Sequence, residues 1–154
     1  VVYDSENSNE WGKQIDEFLI TSERPNSRAM NKKISILSNI SEDFSKQGNK
    51  RPKAEIEKVL VNFGEVVSLS PSNCDIKIKN NGNGTLIIRK VSSSSPAISV
   101  NTKNSEIKPN GTTSLNITLN PTKCKSRIVN ETATIITNDS EKSEINIQVT
   151  ATLK

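Results

Sequence analysis

From residue 53 onward, apolar and polar residues alternate in short runs separated by turn formers. The runs are Ile56 to Asn62, Asp75 to Asn80, Leu86 to Val91, Ile98 to Asn101, Leu115 to Asn120, Thr132 to Thr137 and Ile145 to Leu153. A two-residue period points alternate side chains to one face of a strand. Ile76 with Ile78, Ile117 with Leu119, and Ile145, Ile147, Val149 and Ala151 therefore mark the buried faces. The segments between them carry turn chemistry. Asn80-Asn-Gly-Asn-Gly84 offers residues tolerant of positive φ between two strands, and Pro109-Asn-Gly111 does the same before Leu115. Short strands at this spacing predict an all-β fold, an immunoglobulin-like seven-stranded sandwich over residues 53–154.

Ahead of it, Lys46-Gln-Gly-Asn-Lys-Arg-Pro52 is almost free of apolar residues and reads as a linker over 46–52. Residues 1–45 are read by sliding the second part over the first. At an offset of 116, Ile117 and Leu119 fall on Val1 and Tyr3, and Ile135-Ile-Thr137 falls on Leu19-Ile-Thr21. Ile34, Ile36, Ser38 and Ile40 then alternate as Ile145, Ile147, Val149 and Ala151 do. Residues 1–45 thus read as the C-terminal strands of a preceding copy, either truncated or completed in trans. A helical reading competes: Trp11, Ile15, Phe18 and Leu19 share a helical face behind a Ser8 cap, as do Met30, Ile34, Leu37 and Phe44.

Composition narrows the chemistry. Ile and Val dominate a hydrophobic content of only 32%, and aromatic residues make up 3%, which describes a thin, β-branched core. With no His, one Tyr and one Trp, the chain lacks Ser-His-Asp and Cys-His nucleophile systems, His-ligated zinc and stacking platforms for bases. No cofactor is called for. The net charge of +4 lies entirely beyond residue 52. Lys77, Lys79, Arg89, Lys90 and Lys103 form an acid-free stretch that could serve an anionic or protein partner. Without interleaved aromatics it does not read as a nucleic-acid surface. No run is long enough for a membrane span. Cys74 and Cys124 fall at the same end of a sandwich, and the reading leaves open a stabilising disulfide, which needs an oxidising compartment, or two unpaired thiols. Ser92 to Ser95 read as a solvated loop, and the sequons at Asn39, Asn83, Asn110, Asn116, Asn130 and Asn138 as exposed loops. Asp75, Asp139, Glu141 and Glu144 are too scattered for a calcium cage.

Asn62-Phe-Gly64, Asn80-Asn-Gly82 leading to Leu86-Ile-Ile88, Ile107-Lys-Pro-Asn-Gly111 and Ile135-Ile-Thr-Asn-Asp139, in this order and spacing, resemble a Bacteroidetes immunoglobulin-like domain of unknown function. The resemblance implies an exported protein, periplasmic, cell-surface or secreted, often built of tandem copies, with no catalytic residues to carry over. Many members place a Cys-rich motif where this chain reads Val91-Ser-Ser-Ser-Ser-Pro96, so no metal or redox role is carried over. The expectation is a non-catalytic envelope module whose partner is a protein, another copy of the domain or an envelope protein, joined through strand edges. The alternative is a small-ligand or glycan-binding domain using the loop end of the sandwich, with Trp11, Tyr3 and the basic loop as contacts.

Overall fold

The computed structural model describes residues 10–22 and 30–154. The strand expected at Val1 and Tyr3, and the Ser8 cap, lie outside the described residues. The chain divides into two compact units, Val1–Ser41 and Glu42–Lys154.

In the first unit, β1 (Gly12–Ser22) and β2 (Met30–Ile40) form an antiparallel ribbon. Ile and Thr are stiff at χ1 and suit a pleated strand, and the strand reading prevails over the helical one at both segments. The register sets Phe18 opposite Ile34 and Ile15 opposite Leu37. Directly opposed residues share a face, so Phe18, Ile20, Ile34 and Ile36 lie on one side and Ile15, Leu19 and Leu37 on the other. The offset of 116 requires Leu19 and Ile34 to share a face, as Ile135 and Ile145 do. The ribbon is slipped by one residue from that alignment, and a one-residue slip exchanges the faces.

The second unit is an immunoglobulin-like sandwich, as the alternation predicts. One sheet has the order β4 (Leu60–Val66), β11 (Glu144–Leu153), β10 (Ile128–Thr137), β6 (Leu86–Ser93) and β8 (Glu106–Ile107). The other has the order β3 (Ala54–Ile56), β5 (Ser72–Asn80), β9 (Thr112–Leu119) and β7 (Ile98–Thr102). Every pairing is antiparallel except that of β4 with β11, which is parallel. Nine strands stand where seven were expected. The run Ile56 to Asn62 is not one strand: Glu57 to Val59 carry the chain from one sheet to the other, between β3 and β4. The two-residue β8 is too short to show a period.

The inward rows match the alternation. Ile76 and Ile78 of β5 and Leu115, Ile117 and Leu119 of β9 face Leu86 and Ile88 of β6, Ile135 of β10 and Ile145, Ile147 and Val149 of β11 across one apolar cluster. Each such side chain contributes about 1.5–3 kcal/mol on burial, and this core compensates for the near absence of aromatics. Between Ile136 and Thr137 the pairing of β10 with β6 slips by one residue. That bulge breaks the alternation, and Ile135 to Asp139 are all buried.

Candidate functional site

The inward row of β5 runs Ile76, Ile78, Asn80, and the last is polar yet fully buried. A buried amide must find partners for both its ends. Asn80 finds four. Its Oδ1 accepts from Lys53 N at 3.2 Å and Gly82 N at 2.9 Å, while its Nδ2 donates to Gly84 O at 2.7 Å and Ile107 O at 2.9 Å. The bulged end of β10 supplies the companion groups. Asn138 Oδ1 accepts from Ile87 N at 2.7 Å, and its Nδ2 donates to Thr85 O at 3.1 Å. Asp139 Oδ2 accepts from Ala54 N at 2.7 Å, and Oδ1 from Glu141 N at 2.9 Å. A buried donor left without an acceptor costs about 1–3 kcal/mol, so this network determines how the chain enters the domain.

The segment it holds is the stretch read as a linker, which is built into the sandwich as a strap. Phe44–Gln47 forms a 3-10 turn. Its cap is Asp43, whose Oδ1 accepts from Ser45 N at 3.1 Å. Donation from the Ser45 hydroxyl, followed by Lys46 and the Ser45 N–H, holds the Asp43 carboxyl below its ordinary pKa. Gln47 Nε2 donates to Asn138 O. Asn83 Nδ2 donates to Asn49 O at 3.1 Å, and Asn83 Oδ1 accepts from Arg51 N at 2.7 Å. At the head of the strap, Arg89 Nε and Nη2 each donate to Glu42 at 2.8 Å, with both side chains largely buried. Such a two-pronged, partly shielded pair is stronger than an exposed one.

The strap also corrects the reading of the Asn-Gly turn. Neither Gly82 nor Gly84 has positive φ. They are glycines because the strap lies on them: a Cβ on Gly82 would stand 2.5 Å from Lys53 N, and one on Gly84 2.6 Å from Lys50 O. In Pro109-Asn-Gly111 the positive φ does occur, at Asn110 with 61°.

The topology does not gather the basic residues into one patch. Lys77 and Lys79 lie on β5 in the four-stranded sheet, Arg89 and Lys90 on β6 in the five-stranded sheet, and Lys103 just beyond β7. The chain changes sheets between β5 and β6, so nearness in sequence does not bring the two pairs together, and Arg89 is committed to Glu42. Cys74 and Cys124 do stand at the same end, where the start of β5 pairs with the end of β9, and both are free thiols against the core. Burial, aided by the charge of Glu131, pushes the Cys124 thiol up. The serine run fastens β6 to its neighbours: Ser93 Oγ donates to Ile98 O at 2.6 Å, and Ser94 Oγ to Glu131 at 2.6 Å. Asp75 accepts from Asn116 Nδ2 at 2.8 Å, and among the described residues no three Cys, Asp or Glu side chains converge on a metal-sized site. Tyr3 lies outside the described residues.

Sequence reading named Asn80, Asn138 and Asp139 only as turn, sequon and motif residues and missed their part in this network, as it missed the pairing of Glu42 with Arg89. The first carried a readable signal, a polar residue continuing an inward apolar row.

The ribbon has a different surface chemistry. Ile15 and Leu19 are 66% exposed, Leu37 76% and Phe18 39%, and among the described residues each strand pairs in a sheet only with the other. An isolated two-stranded ribbon is marginal in water. Among the described residues no helix is long and apolar enough to cross a membrane.

Residues 52–152 match a family model described as HYDIN/CFA65/VesB-like, Ig-like domain. None of the curated proteins matches the chain. Among solved structures, a protein of unknown function from Porphyromonas gingivalis W83 aligns at 21% identity over 94% of this chain and 67% of its own, with a TM-score of 0.78. The ASH/PapD-like domain of human CEP192 (PapD-like domain 7) aligns at 14% identity over 76% of this chain and 94% of its own, with a TM-score of 0.55. At these identities the likeness is one of fold.

Proposed function

The chain belongs, through residues 52–152, to the HYDIN/CFA65/VesB-like family of Ig-like domains, and from that premise we propose that it is a non-catalytic structural or protein-interaction module of an exported protein. One observation carries the reading: among the described residues β1 and β2 pair in a sheet only with each other, and Ile15, Phe18, Leu19 and Leu37 are exposed. Unpaired edges recruit strands, and an added strand satisfies the backbone while burying alternate side chains. The partner is a β-rich protein of the cell envelope or secreted space, another copy of the domain included. The resemblance to exported Bacteroidetes domains supports the compartment.

Sedimentation, read together with hydrogen exchange of residues 12–40, tests this. The expected result is fast exchange in the free monomer and slow exchange in an assembly of two or more chains. A monomer whose β1 and β2 amides are already strongly protected at every concentration would sink the idea.

A further inference from the structure

Resting on that reading of the chain as a structural module, we propose a further function for the sandwich: it is a load-bearing link that carries tension along the polypeptide through the parallel pair β4 and β11. The argument is geometric. Tension from the N-terminal side reaches β4 at Leu60, and tension from the C-terminal side leaves β11 at Leu153. The two strands are neighbours and parallel, from Leu60 opposite Gln148 to Val66 opposite Leu153, in two stretches separated by a bulge between Asn62 and Glu65. The two pulls therefore run in opposite directions along the pair and load the bonds on each side of the bulge in shear. Had the strands been antiparallel, both pulls would have arrived at the same end and parted the pairs one by one.

Local details reinforce the ladder. Gln148 N donates to Val59 O at 2.8 Å, and Lys154 N to Val66 O at 3.1 Å, so backbone bonds continue to both ends. Val61 and Val149, opposed in the ladder, are 2% and 0% exposed. Their burial keeps water from replacing the bonds as they stretch.

The strap gives the link a second stage. Tension entering at Glu42 first meets the Arg89 pair, then the bonds to Asn138, Asn83 and Asn80, and then the three-residue β3, whose first residue is held by Asp139. These attachments fail in succession. Their release frees residues 42–59, up to about 60 Å of extended chain, while the ladder and the core behind it still hold.

Single-molecule force ramps on the full chain test this, with Cys74→Ser and Cys124→Ser replacing the native thiols. With handles at Ser41→Cys and Lys154→Cys, both exposed, the expected trace is an early lengthening of up to about 60 Å, followed by one cooperative rupture. With handles at Lys58→Cys and Lys142→Cys, both exposed, the pulls reach the same end of the ladder and unzip it. Because forced unfolding follows the barrier rather than the equilibrium stability, rupture should then need about half the force or less. Urea midpoints equal to that of the native chain show that folding is intact in each variant. Equal rupture forces in the two geometries would overturn the clamp and leave the interaction reading standing, since that reading depends on exchange in β1 and β2.

Discussion

Thr113 stands among apolar residues on the inward row of β9, and its buried Oγ1 has no hydrogen-bond partner. Asn80, equally buried, has four. The contrast separates a polar residue that organises its surroundings from one that only costs stability. Thr113→Val preserves shape and removes an unsatisfied hydroxyl, so it should stabilise the sandwich by about 1 kcal/mol, seen as a higher urea midpoint at unchanged slope. An unmoved or lower midpoint would refute this. Cys124 makes a prediction in pH. Its thiol is raised by burial and by Glu131, so folding favours the neutral form. The contribution to stability is complete below the ordinary thiol pKa and is lost as pH rises through the raised one. At pH 8, iodoacetamide should therefore label Cys124 more slowly in the folded protein than in urea after correction for the reagent's own denaturant dependence; equal rates would show that burial does not control it.

Among the elements, the strap is the least legible in the sequence and the β-strands the most. Ile76, Ile78, Ile117, Leu119 and the row from Ile145 to Ala151 showed their burial because a pleated strand repeats every two residues. Residues 46–52 have no period, and partners more than thirty residues away, including Asn83 and Asn138, supply their order. A local reading had no means of pairing them. The ribbon's register escaped for a related reason: both of its faces carry apolar residues, so hydrophobic pattern alone could not choose between two alignments one residue apart. The strap's packing has a measurable signature. Gly82→Ala forces a Cβ against backbone of the strap and should cost about 1–3 kcal/mol, with faster amide exchange at residues 49–53. Gly64→Ala meets open space and only a φ of +66°, a cost of about 1 kcal/mol, with strap exchange unchanged. Identical exchange maps for the two variants would show that the strap does not depend on that contact.

At the scale of the whole molecule, the β class and its immunoglobulin-like character were readable from turn residues and alternation, while a partner was not, because nothing in a strand edge names what will pair with it. The sandwich contains its own core and its own strap, so a fragment of residues 42–154 should fold alone and unfold in one cooperative urea transition. A broad, non-cooperative melt of that fragment would mean that the first unit completes it. The placement of the aromatic residues has a practical consequence. Trp11 lies just before β1, and the sandwich contains no tryptophan or tyrosine, its aromatics being Phe44 and Phe63. Red-edge excitation, which selects tryptophan over tyrosine, therefore lights Trp11 alone. Its colour should move when the first unit gains or loses a partner, while circular dichroism is weighted towards the nine strands of the sandwich, so that the two signals, followed on one sample, would report different events.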